Sequence, residues 1–236
     1  KNICIYSMDK RGSGLTNICM IPCRAGSQRL EKKNYRLFEG VNLVERMVIK
    51  AKRSESFDEI YINSDDEFFR GIADKNGIKF FHREKKLANS HATTETVVSN
   101  FLKSINCTNL FWLNTSSPLT TIEDIKLAKE SFSGSVFDSM VTTYPLFNHA
   151  LMQETPINFE YDTPFARTQD LPSLSYFTYA LMAWNSESFQ EQESSGFKGL
   201  FQGKVLSIDL SKWTTFLLKN PEDLLICERL LKIAPE

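Results

Sequence analysis

Apolar positions in this chain switch repeatedly between two spacings. Ile18, Cys19, Met20 and Ile21 form a continuous apolar run that breaks at Pro22, the signature of a short buried strand. Leu43, Val44, Met47, Val48 and Ala51 then recur at helical spacing and predict a core-facing stripe. Ile60 to Ile62 predicts a strand ending at Ser64-Asp65-Asp66, and Phe68, Phe69, Ile72 and Ala73 predict a helix stopped by Asn76-Gly77. The alternation continues with a strand at Ile78 to Phe81, a helix over Thr94 to Leu102, a strand at Asn109 to Leu113, a helix over Ile122 to Ser131 and a strand at Met140 to Thr143. Strand alternating with helix over this length predicts an α/β fold, with a mostly parallel sheet covered by helices on both faces. Ligands of such sheets bind beyond the carboxyl ends of the strands, where the segment after Pro22, Ser64-Asp65-Asp66 and the Asn114 to Pro118 turn would converge.

The pattern fails at both flanks of this region. Residues 1–15 hold one short apolar piece, Ile3 to Tyr6, followed by charge and glycine, and are expected to be a leader outside the domain of residues 16–236. From Tyr144 to Leu174 aromatic and polar residues mix and four prolines interrupt, so an insertion at about 145–178 is expected to form its own hairpin or lid. Ala180 to Trp184 and Val205 to Ile208 return to strand character. Asn220-Pro221-Glu222-Asp223 supplies a cap, a first-position proline and acids in the first turn of a last helix.

The 236 residues, 42% hydrophobic and 24% charged, suit one large domain with a real core. Lys and Arg total 28 against 29 acids, so no global field draws the chain to nucleic acid or an anionic membrane. No run is long enough to span a bilayer, and a cytoplasmic location is expected. Five scattered cysteines within apolar runs argue for buried thiols rather than a disulfide framework or a zinc site.

Charge does concentrate in one place. Arg24, Arg29, Lys32 and Lys33 surround Gly26-Ser27 directly after the first strand, the layout of an anion site in which glycine permits close backbone approach. The alternative is a solvated basic loop. The spacing Ile21-Pro22-x-Arg24-x-Gly26-Ser27-x-Arg29-x-x-x-Lys33-Asn34 resembles the first motif of the acylneuraminate cytidylyltransferases, which make CMP-sialic acid and related CMP-nonulosonic acids. The commoner phosphate-loop patterns are absent. The resemblance implies a Rossmann-like nucleotidyltransferase sheet, CTP and a sugar acid as substrates, release of pyrophosphate, a magnesium ion, and an insertion that forms a homodimer. No nucleic acid or membrane partner is implied.

By the same resemblance Arg24 and Lys33 would be catalytic, and Arg24, Gly26, Ser27, Arg29, Lys33, Asn34 and Arg83 would bind the nucleotide. Arg83 lies in Phe81-His82-Arg83-Glu84-Lys85-Lys86-Leu87-Ala88, similar to the family's Leu-Arg-Pro-x-x-Leu-Ala with Glu84 in place of proline. Leu113-Asn114-Thr115-Ser116-Ser117-Pro118-Leu119 resembles Leu-Gln-Pro-Thr-Ser-Pro-Leu and assigns Asn114 and Ser117 to the sugar. Arg167 and Gln169, in a segment like Arg-Gln-x-x-Pro with one residue inserted, would join them. Tyr179 would too, standing where the family has glycine and so reshaping the sugar pocket.

The departure with most consequence precedes the last helix. Aligned on Glu222-Asp223-Leu224, Leu217 and Lys219 occupy the positions of two acids that serve magnesium or the sugar in the family. Neither side chain offers the oxygen donor Mg²⁺ requires. Lys219 could supply the charge instead, Asp65 or Asp209 could have taken over the metal, or turnover could be lost while nucleotide or partner binding remains. A nucleotidyltransferase for another sugar is a further alternative.

Overall fold

The computed structural model describes residues 14–26, 30–201 and 203–235. The expected leader falls mainly on residues 1–13, outside the described residues. In chain order the elements are β1 (Asn17–Pro22), β2 (Leu37–Phe38), β3 (Val41–Asn42), α1 (Leu43–Arg53), β4 (Glu59–Ser64), α2 (Phe68–Asn76), β5 (Lys79–His82), α3 (Thr94–Leu102) and β6 (Asn109–Leu113). They continue with α4 (Ile122–Phe132), β7 (Ser139–Leu146), β8 (Leu151–Met152), β9 (Thr155–Pro156), β10 (Leu174–Asn185), α5 (Ser186–Ser194), β11 (Val205–Asp209) and α6 (Pro221–Leu231).

Seven strands form the main sheet in the order β11-β7-β10-β6-β1-β4-β5. All neighbours pair in parallel except β10, which runs antiparallel to both β6 and β7. The order fixes where a crevice opens. From β1 the chain proceeds through α1, β4, α2 and β5 to one edge, then returns to pair β6 against the other side of β1. The reversal leaves a crevice beyond the carboxyl ends of β1 and β6.

Both sheet faces are covered, as the apolar stripes require. Met47, Val48 and Ala51 of α1, Phe69 and Ile72 of α2, and Ile125, Ala128 and Phe132 of α4 pack with Cys19, Ile21, Ile62 and Phe111. On the opposite face Val97, Val98, Phe101 and Leu102 of α3 and Phe189 of α5 meet Ile18, Met20, Leu110 and Trp184. Helix ends follow local chemistry. Asn42 caps α1 by accepting from the Glu45 amide at 2.9 Å, and Gly77 stops α2 in the left-handed conformation at φ 64°. A capping box of Asn220 and Asp223, with Pro221 first in the helix, starts α6.

The expected insertion is corrected at both borders. Tyr144 to Leu146 and Leu174 to Tyr176 are paired strand, continuing β7 and β10 beyond the residues whose apolarity announced them. Between them lies the β8–β9 hairpin and a single 3₁₀ turn at Thr168–Asp170. The β2–β3 hairpin and α5 had no equivalent in the apolar pattern.

Tyr179 sits at the register shift in β10 between Phe177 and Met182, with φ 54°. A non-glycine residue there bears about 1–2 kcal/mol of strain, which is the physical reason glycine suits this position. The residue is 44% exposed, and its ring meets that of Phe177 edge-on with centroids 5.9 Å apart. Tyr179→Gly is therefore expected to leave the thermal midpoint unchanged or to raise it by about 2–4 °C, strain relief slightly outweighing the extra freedom of the unfolded chain. A midpoint depressed by more than that would show the ring to be a packing element instead.

Candidate functional site

Three strand ends build one cleft of about 430 Å³. Arg24 follows β1, Arg83 follows β5, and Asn114, Thr115 and Ser116 follow β6, while Lys33 and Asn34 enter from the 3₁₀ turn at Lys33–Tyr35. Leu218 and Lys219 close the wall ahead of α6, and Asn89, Ser90, Thr93 and Thr94 add a polar rim where α3 begins.

The framework is held by bonds between distant segments. Asn34 is buried. Its Nδ2 donates to the Arg24 carbonyl at 3.2 Å and its Oδ1 accepts from Thr115 Oγ1 at 3.2 Å, so one amide locks the basic loop to the β6 turn. Lys33 Nζ donates to Ser116 Oγ at 2.5 Å, and Arg24 Nη1 donates to the Asn89 carbonyl at 2.8 Å. Leu218 N reaches the Ser116 carbonyl at 2.8 Å, and Lys219 N reaches Asp223 Oδ2 at 2.7 Å, which together fix the last segment of the wall.

Arg83 is the unusual member. Only 4% exposed, it donates from Nε to Asn63 Oδ1 at 2.7 Å and from Nη2 to the Asn63 carbonyl at 3.0 Å. Burial pushes its pKa down, and Arg24 nearby adds to that, against Cys23 and Asp65. Its hydrogen bonds go to neutral acceptors on one residue, and no carboxylate of the described residues reaches it. A buried guanidinium in this state gains from any anion that reaches it.

Several expected roles change. Ser27 and Arg29 lie outside the described residues. Gly26 is exposed with an ordinary φ, and a Cβ built on it meets no atom within 4 Å, so the protein's own packing does not demand glycine there. Ser117 is corrected from a sugar contact to a packing group: it is fully buried, donating to the Thr214 carbonyl and accepting from Thr120 Oγ1 at 3.0 Å. Asn114 lines the cleft, but its Nδ2 donates to the Tyr179 carbonyl at 3.1 Å and its Oδ1 accepts from Ser116 N at 2.9 Å, so its first duty is to join the β6 turn to the β10 bulge. Arg167 and Gln169 do not line the cleft; Arg167 is ion-paired with Asp170 at 2.7 Å on the exposed insertion. Tyr179 contributes its carbonyl to Asn114 and does not line the cleft with its ring.

Sequence reasoning missed Asn63, whose signal was only a polar residue near the end of an apolar strand, and the Asn89 to Thr94 rim. The rim did carry a sign, since Thr93 stands at a helix start and caps α3 through the Thr96 amide. Cys23 is 2% exposed and burial pushes its thiol up to about 12, which leaves no thiolate for nucleophilic work.

The residues present do not fit a magnesium ion held by the protein. Among the described residues no Asp or Glu lines the cleft and no three His, Cys, Asp or Glu side chains come together. Asp65 Oδ1 accepts from Ala25 N at 3.0 Å; Asp66 accepts from Tyr35 Oη at 2.5 Å and from Phe68 N; Asp209 Oδ1 accepts from Thr143 Oγ1 at 2.7 Å. Each of these acids is engaged in holding the scaffold.

A doubly covered, mostly parallel sheet with a cation-lined cleft at its reversal point defines a nucleotide-handling α/β protein. The chain belongs to the cytidylyltransferase family, which it matches over residues 18–176. Pseudaminic acid cytidylyltransferase of Campylobacter jejuni subsp. jejuni serotype O:2 is 29% identical over 212 residues, covering 83% of this chain and 91% of its own. N-acylneuraminate cytidylyltransferase of Streptococcus agalactiae serotype V is 28% identical over 186 residues, 75% of this chain and 45% of its own. The fold is that of a CMP:2-keto-3-deoxy-manno-octonic acid synthetase solved in complex with CTP, at TM-score 0.71 and 11% identity over 92% of this chain and 99% of that one. Among the described residues no helix is long and apolar enough to cross a membrane.

Proposed function

We propose that this protein transfers CMP from CTP to a nonulosonic acid, releasing pyrophosphate. The observation that carries the reading is the charge of the cleft: Arg24, Lys33, Arg83 and Lys219 line it together, and no carboxylate of the described residues does. Elsewhere on the described surface cations meet acids, as Lys79 does Glu59 and Lys103 does Glu193. Concentrated positive charge in a chain of net charge −1 supports a polyanionic ligand at this spot.

In the reaction an oxygen of the sugar hydroxyl bonds to the α-phosphorus, the bond from that phosphorus to the bridging oxygen breaks, and pyrophosphate leaves with the electron pair. The hydroxyl proton passes to solvent. Little covalent work falls to the protein, so positioning and fixed charge do most of it. Arg24 and Lys33 hold the phosphates beyond β1, Arg83 anchors them from beneath, and the Asn114 to Ser116 turn orients the sugar side.

The coverage of the pseudaminic acid enzyme, 91% of its length, makes that sugar the first candidate acceptor. A homodimer belongs to the same reading, supported by Leu151, Met152, Ile157 and Phe165, apolar side chains that the insertion leaves exposed. So does a cytoplasmic reaction.

Pyrophosphate release should be measured with CTP and UTP against pseudaminic acid, N-acetylneuraminic acid and 3-deoxy-manno-octulosonate. Release is expected with CTP and a nonulosonic acid and not with UTP. A folded protein that binds CTP but releases nothing with any acceptor would overturn the transferase reading in favour of a binding protein.

A further inference from the structure

The same cleft holds a residue whose charge has no ion-pair partner among the described residues. Lys219 lines it beside Arg24, Lys33 and Arg83, and no ion pair of its ammonium exists among the described residues. Its backbone is fixed from two sides, by Asp223 Oδ2 on its own amide and by the bond from Leu218 N to the Ser116 carbonyl. The ammonium therefore rides on a short, tied segment of the cleft that Arg24 and Lys33 also line. Next to it the side chains of Leu217 and Leu218 offer no oxygen donor, and the nearest acid in sequence, Asp223, is engaged by the amides of Lys219 and Asn220.

A divalent cation held by protein is best served by convergent carboxylates, and among the described residues this cleft is lined by none. What it has is a lysine, a compact point charge on a flexible stem well suited to phosphate. We propose that Lys219 is a phosphate-binding residue that provides, as a fixed cation of the chain, the neutralisation of the nucleotide's triphosphate and of the departing pyrophosphate, so that nucleotide binding does not depend on a metal ion held by the protein. The inference rests on the CTP reading given above.

Its geometry also assigns a direction. Arg83 lies at the buried floor beyond β5 and Arg24 and Lys33 beyond β1, while Lys219 approaches from the α6 side. A phosphate chain spanning these groups would be gripped at both ends, with Lys219 as the gripping group most open to solvent.

The test is calorimetric titration of CTP into the wild type, Lys219→Gln, Lys219→Arg and the double variant Leu217→Asp/Lys219→Asp, each in EDTA and in Mg²⁺. Lys219 is exposed, so the single variants should keep the wild-type thermal midpoint, checked by calorimetric scanning. The wild type should bind CTP in EDTA within about threefold of its affinity in Mg²⁺. Lys219→Gln should lose about tenfold or more in EDTA, the loss of one charge-assisted bond to phosphate, while Lys219→Arg stays within about threefold. The double variant should bind poorly in EDTA and recover with Mg²⁺. Wild-type binding that collapses in EDTA, or a Lys219→Gln affinity equal to wild type, would overturn the proposal while leaving the CTP reading intact. Absence of CTP binding by the wild type under both conditions would overturn the CTP reading and this inference with it.

Discussion

Arg83→Met is expected to abolish the stabilisation of the protein by CTP and to lower kcat/KM for CTP by at least about a hundredfold, while shifting the ligand-free thermal midpoint by only a few degrees. The two halves of this result have separate origins. In the free protein the guanidinium is buried, and among the described residues it is hydrogen-bonded to Asn63 alone, whose carbonyl also accepts from Cys23 N at 3.0 Å. Removing a buried charge with no ion pair among the described residues removes its desolvation cost, a gain for the folded state. Against this, Asn63 Oδ1 loses its donor, at about 1–3 kcal/mol for a buried acceptor left alone. The opposed terms nearly cancel. Under the proposed function the nucleotide's phosphate becomes the guanidinium's counterion, no such cancellation operates in the complex, and breaking a buried pair costs about 3–5 kcal/mol. Thermal scans with and without CTP read both quantities on one sample. A ligand-free midpoint lowered by 10 °C or more would show Arg83 to be a structural keystone, and a CTP-induced shift equal to that of the wild type would remove it from the binding site.

The contrast between Arg83 and its neighbours shows where the sequence was readable and where it was not. Strands β1, β4 and β6 are buried on both faces and so read as continuous apolar runs, from which the parallel sheet and its ligand edge follow directly. Arg83, by contrast, sits in His82 to Lys86, a charged run that resembles any solvated loop. Its burial depends on Asn63, 20 residues earlier, turning an amide toward it across the β4–β5 pair. The reverse holds for Ser117, which reads as part of a polar turn and is closed off by Thr214, 97 residues later. Short or amphiphilic elements escaped for a related reason. The two-residue strands β2 and β3 have no period to detect, and α5 buries only Ser186 and Phe189. The ends of β7 and β10 are half-exposed and hold together by pairing with each other rather than by burial. Motif spacing therefore located the cleft, while the long-range hydrogen bonds that decide which polar residues face it were not written in any local pattern.

The largest loss of stability is expected from Asp124→Ala. This carboxylate is 4% exposed and accepts four hydrogen bonds. Thr121 N at 3.0 Å and Thr121 Oγ1 at 2.8 Å complete the capping box of α4, and Ser211 N and Oγ, both at 2.8 Å, tie the chain leaving β11 to the same helix start. Alanine removes the cap and leaves buried donors on two segments unsatisfied, which together cost about 3–5 kcal/mol, or about 10 °C in midpoint for a chain of this size. Ser211→Ala removes a single hydroxyl donor and should cost about 1 kcal/mol. Function is touched through the same tether. Ser211 opens the stretch that includes Thr214, bonded by Ser117, and ends with Leu218 and Lys219 in the cleft wall. At a temperature where Asp124→Ala remains folded, its CTP affinity should therefore fall although Asp124 itself lies outside the cleft, and Asp124→Asn, which keeps one acceptor oxygen, should fall between it and the wild type in both midpoint and affinity. An Asp124→Ala midpoint within about 2 °C of the wild type would mean that water replaces the carboxylate at all four donors and that the tether to Ser211 does not hold the wall in place.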